Sequence, residues 1–374
     1  MAIPLNIKGS LKLYEEGFNT WRLRKLWPKN STRLAKSGIS IIIAGRSKEK
    51  AEKLAKQLTA EATGFNVNKE LNEQLKILKP SVVINTCGPF QNADYAVAKT
   101  CIENKVHYID LADGRDFVCG ITALDAMAKQ NDVLVVSGAS TVPGLSSAVL
   151  KNFKGEFSII DSLVYGITPG QKTPRGLATT QGVLSYLGKP LKKSGDSKIR
   201  YGWQDIYRQR YPELGNRWMA NCDIPDLDLF PQKYNIKSIR FSAGMENTFF
   251  HFNIWILSWL KRLCLPIKLE NHAALFLKLS HLFDKFGTSN GGMHIIITGK
   301  DKRGKPLQKN WFIIAKNNDG PQIPCVPAII LSKKLIAGEL KALGAMPCID
   351  LLTLDEYLNE LRDFNIKEII TEEC

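Results

Sequence analysis

The sequence predicts an α/β protein, a doubly wound parallel sheet followed by a second α/β domain. Three observations predict it. Four short apolar runs rich in β-branched residues recur between positions 39 and 136. Each ends in small or turn-forming residues, and helical periodicity fills the intervals between them. Such two-faced apolar strands suit a sheet covered by helices on both sides.

The first run is Ile39-Ser40-Ile41-Ile42-Ile43-Ala44, closed by Gly45-Arg46-Ser47. Ser47 is placed to cap a helix that carries Ala51, Leu54, Ala55 and Leu58 at helical spacing. Val82-Val83-Ile84-Asn85 follows, closed by Thr86-Cys87-Gly88-Pro89. A helix is expected from Ala93 to Asn104, then the strand Val106-His107-Tyr108-Ile109-Asp110. Ala123 to Gln130 reads as a helix, Val133-Leu134-Val135-Val136 as a strand, and Gly138 to Gly144 as its loop.

Past residue 150 the rhythm changes. Ile159 to Ile167 reads as a strand and Ala178 to Leu187 as a helix. Residues 188–245 are expected to form loops and short strands, and 248–286 apolar helices. Met293 to Thr298 and Trp311 to Lys316 read as paired strands joined at Asp301-Lys302-Arg303-Gly304. Ala328 to Leu343 and Thr353 to Phe364 read as helices. The expected domains are a Rossmann-like unit at 37–150, an α+β substrate or dimerisation domain at 151–330 and a C-terminal helical segment at 331–374. Residues 1–36 form an aberrant N-terminal segment.

The 374 residues suffice for two cores, and 44% hydrophobic with 23% charged residues exclude collagen-like and disordered chains. The net charge of +15 favours anionic partners. Basic residues are interspersed with acids, as in Lys48-Glu49-Lys50, so we read a solvated surface and no nucleic-acid patch. The 8 cysteines show no Cys-x-x-Cys or zinc spacing. A reducing, cytoplasmic setting with no disulfides and no metal is expected. The start of the chain does not read as a signal peptide.

In a doubly wound sheet ligands bind at the carboxyl ends of the strands. Those ends carry Gly45, Arg46 and Ser47, then Cys87, Gly88, Pro89 and Phe90, then Ala139 and Ser140; these are the expected cofactor contacts. Arg46 follows the second strand, where a cation suits an adenosine 2′-phosphate; the competing reading is a solvated arginine at a helix start. This leans toward NADP, with NAD as the alternative.

A glycine loop should precede Gly38, because helix N-terminal amides hold the pyrophosphate there. The chain instead reads Asn19-Thr20-Trp21-Arg22-Leu23-Arg24-Lys25-Leu26-Trp27-Pro28-Lys29-Asn30. Moving the reading frame one base downstream turns the codons of Trp21 and Trp27 into glycine codons. The codons between them then permit Gly-Tyr-Gly-Asn-Phe-Gly across positions 22 to 27. Codons 15 to 20 permit an apolar strand. We therefore read residues up to about 31 as out of frame, with the first strand and glycine loop corrupted.

Four segments together resemble the saccharopine dehydrogenase-like oxidoreductases. They are Ile41 to Ser47, Val83 to Phe90, His107 to Leu111 and Gly138 to Leu145. The resemblance implies an NAD(P)-binding Rossmann domain, a substrate domain and hydride chemistry on a carbon–nitrogen bond. The missing glycine loop departs from the family pattern.

Hydride enzymes leave one proton for the protein to manage. Asp110 is the first candidate, with Tyr108, His107 and Asp113 beside it; a turn-holding role for Asp110 competes. His107 and Tyr108 point to opposite faces of a strand, so one of them is core. Thr141 and Pro143 lie in a loop that the family places near substrate, with a domain-connecting turn as the equal alternative. Arg175, with Lys172, is a candidate carboxylate anchor, against the favoured reading of surface charge. Ser146 and Ser147 lack a nearby base, which argues against a serine hydrolase. The stretch from Phe249 to Leu260 followed by Lys261-Arg262 reads as a membrane-surface helix or as an inter-domain or dimer packing helix. Packing is favoured because a polar face is nearly absent. The leading function is an NADP-linked oxidoreductase acting on a small amino-acid-like, carbonyl or imine substrate, inactive as recorded if the loop is missing. The alternative is a non-enzymatic scaffold, peripheral to membranes.

Overall fold

The computed structural model describes residues 10–15, 39–58, 60–91, 93–191, 199–263 and 268–373. The chain divides into two compact units, 1–145 with 324–352, and 146–323 with 353–374.

The first unit carries strands β1 (Ser10–Glu15), β2 (Ser40–Gly45), β3 (Glu61–Gly64), β4 (Val82–Asn85), β5 (His107–Asp110) and β6 (Leu134–Ser137). The second carries β7 (Phe157–Thr168), β8 (Tyr207–Tyr211), β9 (Gly215–Asn221), β10 (Ser238–Met245), β11 (Gly291–Asp301) and β12 (Pro306–Ala315). Strand β13 (Gly344–Pro347) returns to the first sheet, and β14 (Ile366–Glu373) to the second.

The first sheet has the order β13-β6-β5-β4-β1-β2-β3, and its pairs are parallel. Read without β13, this is the doubly wound order that changes direction at β1. Val82, Val83, Ile84 and Leu134 to Val136 are buried, as the uninterrupted apolar runs require. Helices at Lys48–Leu58, Ala96–Glu103 and Asp125–Gln130 agree with the expected ones. Ser47 Oγ accepts from the Lys50 amide at 3.3 Å, the expected cap.

Three features correct the expectation. Ser10–Glu15 occupies the first-strand position between β2 and β4, so this strand shares only Glu15 with the codons whose shifted frame permits one. The proposed glycine positions 22 to 27 lie outside the described residues. Next, β3 and a helix at Val67–Leu78 fill the interval between residues 58 and 82. The strand is a half-exposed edge with little apolar signal. The helix has a readable one: Asn66 caps it by accepting from the Asn68 amide at 3.0 Å, and Glu70 accepts from the Asn66 amide at 2.7 Å. Finally, residues 331–374 are not a separate helical segment. The helices are Val326–Ile336 and Leu354–Glu360, and the strands between and after them extend both sheets. Backbone pairing to distant strands outweighs local helical pattern there.

The second sheet has the order β14-β12-β11-β7-β10-β9-β8. Strands β11 and β12 pair antiparallel, and Asp301 Oδ1 holds their turn by accepting from the Arg303 and Lys305 amides, both at 2.8 Å. The weakly periodic stretch from 188 to 245 contains β8, β9, β10 and a helix at Asp226–Tyr234. This sheet curls. The Tyr211 ring on β8 lies 5.3 Å from His294 on β11 and 6.0 Å from Phe312 on β12, strands far apart in the order. Helix Thr248–Arg262 buries His251, Ile254 and Ser258 and leaves its opposite side exposed.

Candidate functional site

The carboxyl tips of β4, β5 and β6 are tied to one another. At the β5 end Asp110 is fully buried. Its Oδ1 accepts from the Ala112 amide at 3.0 Å, Ser137 Oγ at 2.9 Å and the Gly138 amide at 2.8 Å. The Asp110 carbonyl accepts from the Ala139 amide at 2.8 Å. Asn85, last in β4, accepts from the Cys87 amide at 3.0 Å and donates to the Tyr108 hydroxyl at 3.0 Å. Gln91 Nε2 donates to Asp113 at 3.2 Å, linking the β4 and β5 loops.

Close packing fixes these loops further. The Phe90 and Phe117 rings are 5.2 Å apart. A Cβ on Gly114 would lie 3.1 Å from the Phe90 carbonyl, so the two loops approach backbone to backbone. Gly138 has φ +77°, and a Cβ there would meet Pro143 at 2.7 Å. The turn after β6 is thereby folded onto the cis Val142–Pro143 segment.

The electrostatics follow from burial. Loss of solvent pushes the Asp110 carboxyl up to about 6, against hydrogen bonds from Gly138, Ala112 and Ser137 that pull it down. Burial raises the Tyr108 hydroxyl well above its usual range, with the Asp110 charge adding to the effect. His107 is lowered by burial, and its Nδ1 accepts from the Leu134 amide at 2.9 Å. As strand alternation requires, Tyr108 is the core member of that pair. Cys348 follows β13, donates its amide to the Ser137 carbonyl at 2.8 Å, and has its thiol pushed up by burial.

The expected contacts fall into two groups. Arg46 and Pro89 are exposed, and Gly45, Ser47, Cys87, Gly88, Ser140 and Thr141 are half-buried, all at or after carboxyl strand ends. Phe90, Ala139 and Pro143 are buried and shape the loops from beneath. Asp110 and Tyr108, expected as proton donors, are 0% and 1% exposed, and their polar groups hold neighbouring backbone and side chains. Arg175 belongs to the second unit, where its guanidinium pairs with Asp284 and donates to the Gln171 carbonyl. It is committed there to an internal network.

Sequence reading missed Asn85 and Ser137. The signal was available: a polar residue directly ends each apolar run. It also missed Asp226, which accepts from Ser146 Oγ and from the Tyr165 hydroxyl at 2.9 Å. No motif links residues so far apart.

A dinucleotide fits what is described. The Arg46 guanidinium at the β2 tip is the right donor for a phosphate. About 10 Å away, two strand spacings across β1, the β4 tip offers Gly88 with no side chain to block approach. A cavity lined by Ile39, Ser40, Glu52, Ala55, Lys56 and Glu61 opens at the amino ends of β2 and β3, opposite these tips. Among the described residues no cluster of three or more His, Cys, Asp or Glu could hold a metal.

Comparison with known proteins agrees with this fold. Residues 25–141 match the family model of the saccharopine dehydrogenase NADP binding domain. Over 179 residues the chain is 27% identical to a lipid droplet localized protein of Caenorhabditis elegans, covering 43% of this chain. The match spans only 40% of that relative's length. The fold is similar to that of apo saccharopine dehydrogenase (L-Glu forming) from Saccharomyces cerevisiae. That likeness has a TM-score of 0.65 and 13% identity, covering 96% of this chain and 99% of the other. Residues 25–141, under half of this chain, are thus similar to the saccharopine dehydrogenase NADP binding domain.

Proposed function

We propose that the chain is an NADP(H)-linked oxidoreductase acting on a small carbonyl or imine compound in a reducing, cytoplasmic setting. One observation carries the reading: the β4, β5 and β6 tips gather on one side of β1, and the Arg46 cation stands on the other. When bound, the dinucleotide supplies or accepts the hydride. Arg46 would hold the 2′-phosphate, and the amides that begin helix Lys48–Leu58 lie beside it. Residues 87–90 would flank the nicotinamide half, with 139–141 as the adjoining wall. Asp110 and Tyr108 act as positioning residues that hold these loops. The half-buried Asp113 and Thr141 are left to handle the proton.

Titration of NADPH by fluorescence tests the reading, on the chain as recorded and on a version with Gly-Tyr-Gly-Asn-Phe-Gly at 22 to 27. Binding by the restored form, weak or absent in the recorded one, is expected. Failure of both to bind would overturn the proposal.

A further inference from the structure

The exposed apolar residues of the second unit lie in order. Phe249 is 65% exposed, Ile256 50%, Leu260 46% and Leu263 74%. At intervals of seven, four and three they form one stripe along helix Thr248–Arg262 and its cap. Because the opposite face is packed through Ile254, this helix is apolar on both sides. Helix Ala273–Leu282 repeats the pattern with Leu275 at 55%, Leu279 at 42% and Leu282 at 66%, and Phe286 beyond it at 77%. The stripes adjoin where the Phe249 and Phe283 rings lie 5.9 Å apart. Apolar patches of this extent on soluble proteins mark contact surfaces.

Charge indicates what covers it. Residues 248–286 hold Lys261, Arg262, Lys268, Lys278 and Lys285 against two acids. Both acids are already engaged: Glu270 lies 3.9 Å from Lys189, and Asp284 pairs with Arg175 and His281. The Arg262 guanidinium lies 5.0 Å from the centre of the half-exposed Trp259 ring. A second copy facing this surface would set five cations against five. An anionic lipid surface would meet the stripes with acyl chains and the cations with headgroups. The first helix has 15 residues. It is about 22 Å long, short of the roughly 30 Å hydrocarbon layer. Among the described residues no helix is long and apolar enough to cross a membrane.

We propose that the face formed by helices Thr248–Arg262 and Ala273–Leu282 docks in the plane of an anionic phospholipid surface. This stands independently of the cofactor reading. Flotation of the full chain with phosphatidylcholine vesicles, with and without about a fifth phosphatidylserine, tests it. The wild type is expected to float with the anionic vesicles, and less so in high salt. Ile256→Glu with Leu279→Glu changes only exposed side chains and is expected to lower the floated fraction at least tenfold with an unchanged melting curve. Ile77→Glu, at a 69% exposed position of the first unit, is expected to float as the wild type does. Equal flotation of the double variant, or no flotation of the wild type, would overturn the proposal. A dimer by light scattering that the double variant abolishes, without flotation, would overturn it in favour of self-association.

Discussion

Asp110 Oδ1 accepts the Gly138 amide at 2.8 Å, so one buried carboxyl fastens the end of β5 to the turn leaving β6. The same oxygen takes bonds from Ala112 and Ser137. Asp110→Ala leaves three buried donors unpaired and is expected to cost about 3 kcal/mol or more, since each such group costs about 1–3 kcal/mol. Asp110→Asn keeps an acceptor in place and is expected to cost less than half as much. Urea unfolding of both variants checks the difference. Equal losses would mean that Oδ1 does not hold the turn.

Gly138 is required by shape as well as by conformation. Its φ is +77° and a Cβ would lie 2.7 Å from Pro143, whereas Gly304, at φ +79°, has nothing within 4 Å. Gly304→Ala pays only the left-handed backbone cost of about 1 kcal/mol. Gly138→Ala adds the clash and is expected to cost at least about 1 kcal/mol more. Thermal melting of the two variants side by side decides it.

Asp226 links stability to pH. Burial raises its carboxyl from 3.8 to about 7, against bonds from Ser146 and Tyr165. The folded state keeps this proton where the unfolded chain releases it. Its contribution is therefore most favourable below about pH 4, declines as pH rises toward 7, and levels above that. At about 1.4 kcal/mol per unit, Asp226→Asn should gain about 3 kcal/mol on the wild type between pH 4.5 and pH 8. Unfolding at the two pH values measures this, and a constant difference would refute it.

His251 carries the opposite sign. It is fully buried against the Trp203 ring at 5.4 Å, and neither ring nitrogen has a hydrogen-bond partner among the described residues. Burial lowers it to about 4, so folding keeps the ring neutral and stability falls as pH drops from 6.5 toward 4. His251→Phe removes the unpaired nitrogens and is expected to stabilise by about 1–2 kcal/mol at pH 7, and by more at pH 5. A melting temperature below wild type at both pH values would exclude this account.

Arg46 sets the cofactor preference under the proposed function. In the version with the glycine loop restored, Arg46→Ala is expected to weaken NADPH about tenfold and NADH little, the effect of one lost charge-assisted phosphate contact. Parallel titrations with both nucleotides give the ratio. An unchanged ratio would leave Arg46 as a solvated helix-start residue.

The residues alone determined the local alternation. The runs at 39–44, 82–85, 106–110 and 133–136 reappear as β2, β4, β5 and β6 within a residue or two, and the turn at 301–304 joins the expected pair. Each of these segments buries both faces or alternates at a fixed period, which is a property of neighbouring residues. Tertiary structure decided what depends on distant partners. Strand β13 joins β6, and the Ala345 amide reaches Asp125 Oδ1 at 3.0 Å across 220 positions. Arg175 pairs with Asp284, Asp110 becomes a buried tie, and the curl of the second sheet sets Tyr211 against His294. Hydrophobic periodicity tells a side chain which face to take. The partner it meets depends on how strands far apart in the chain are ordered, because backbone pairing and burial are satisfied only when the sheets close.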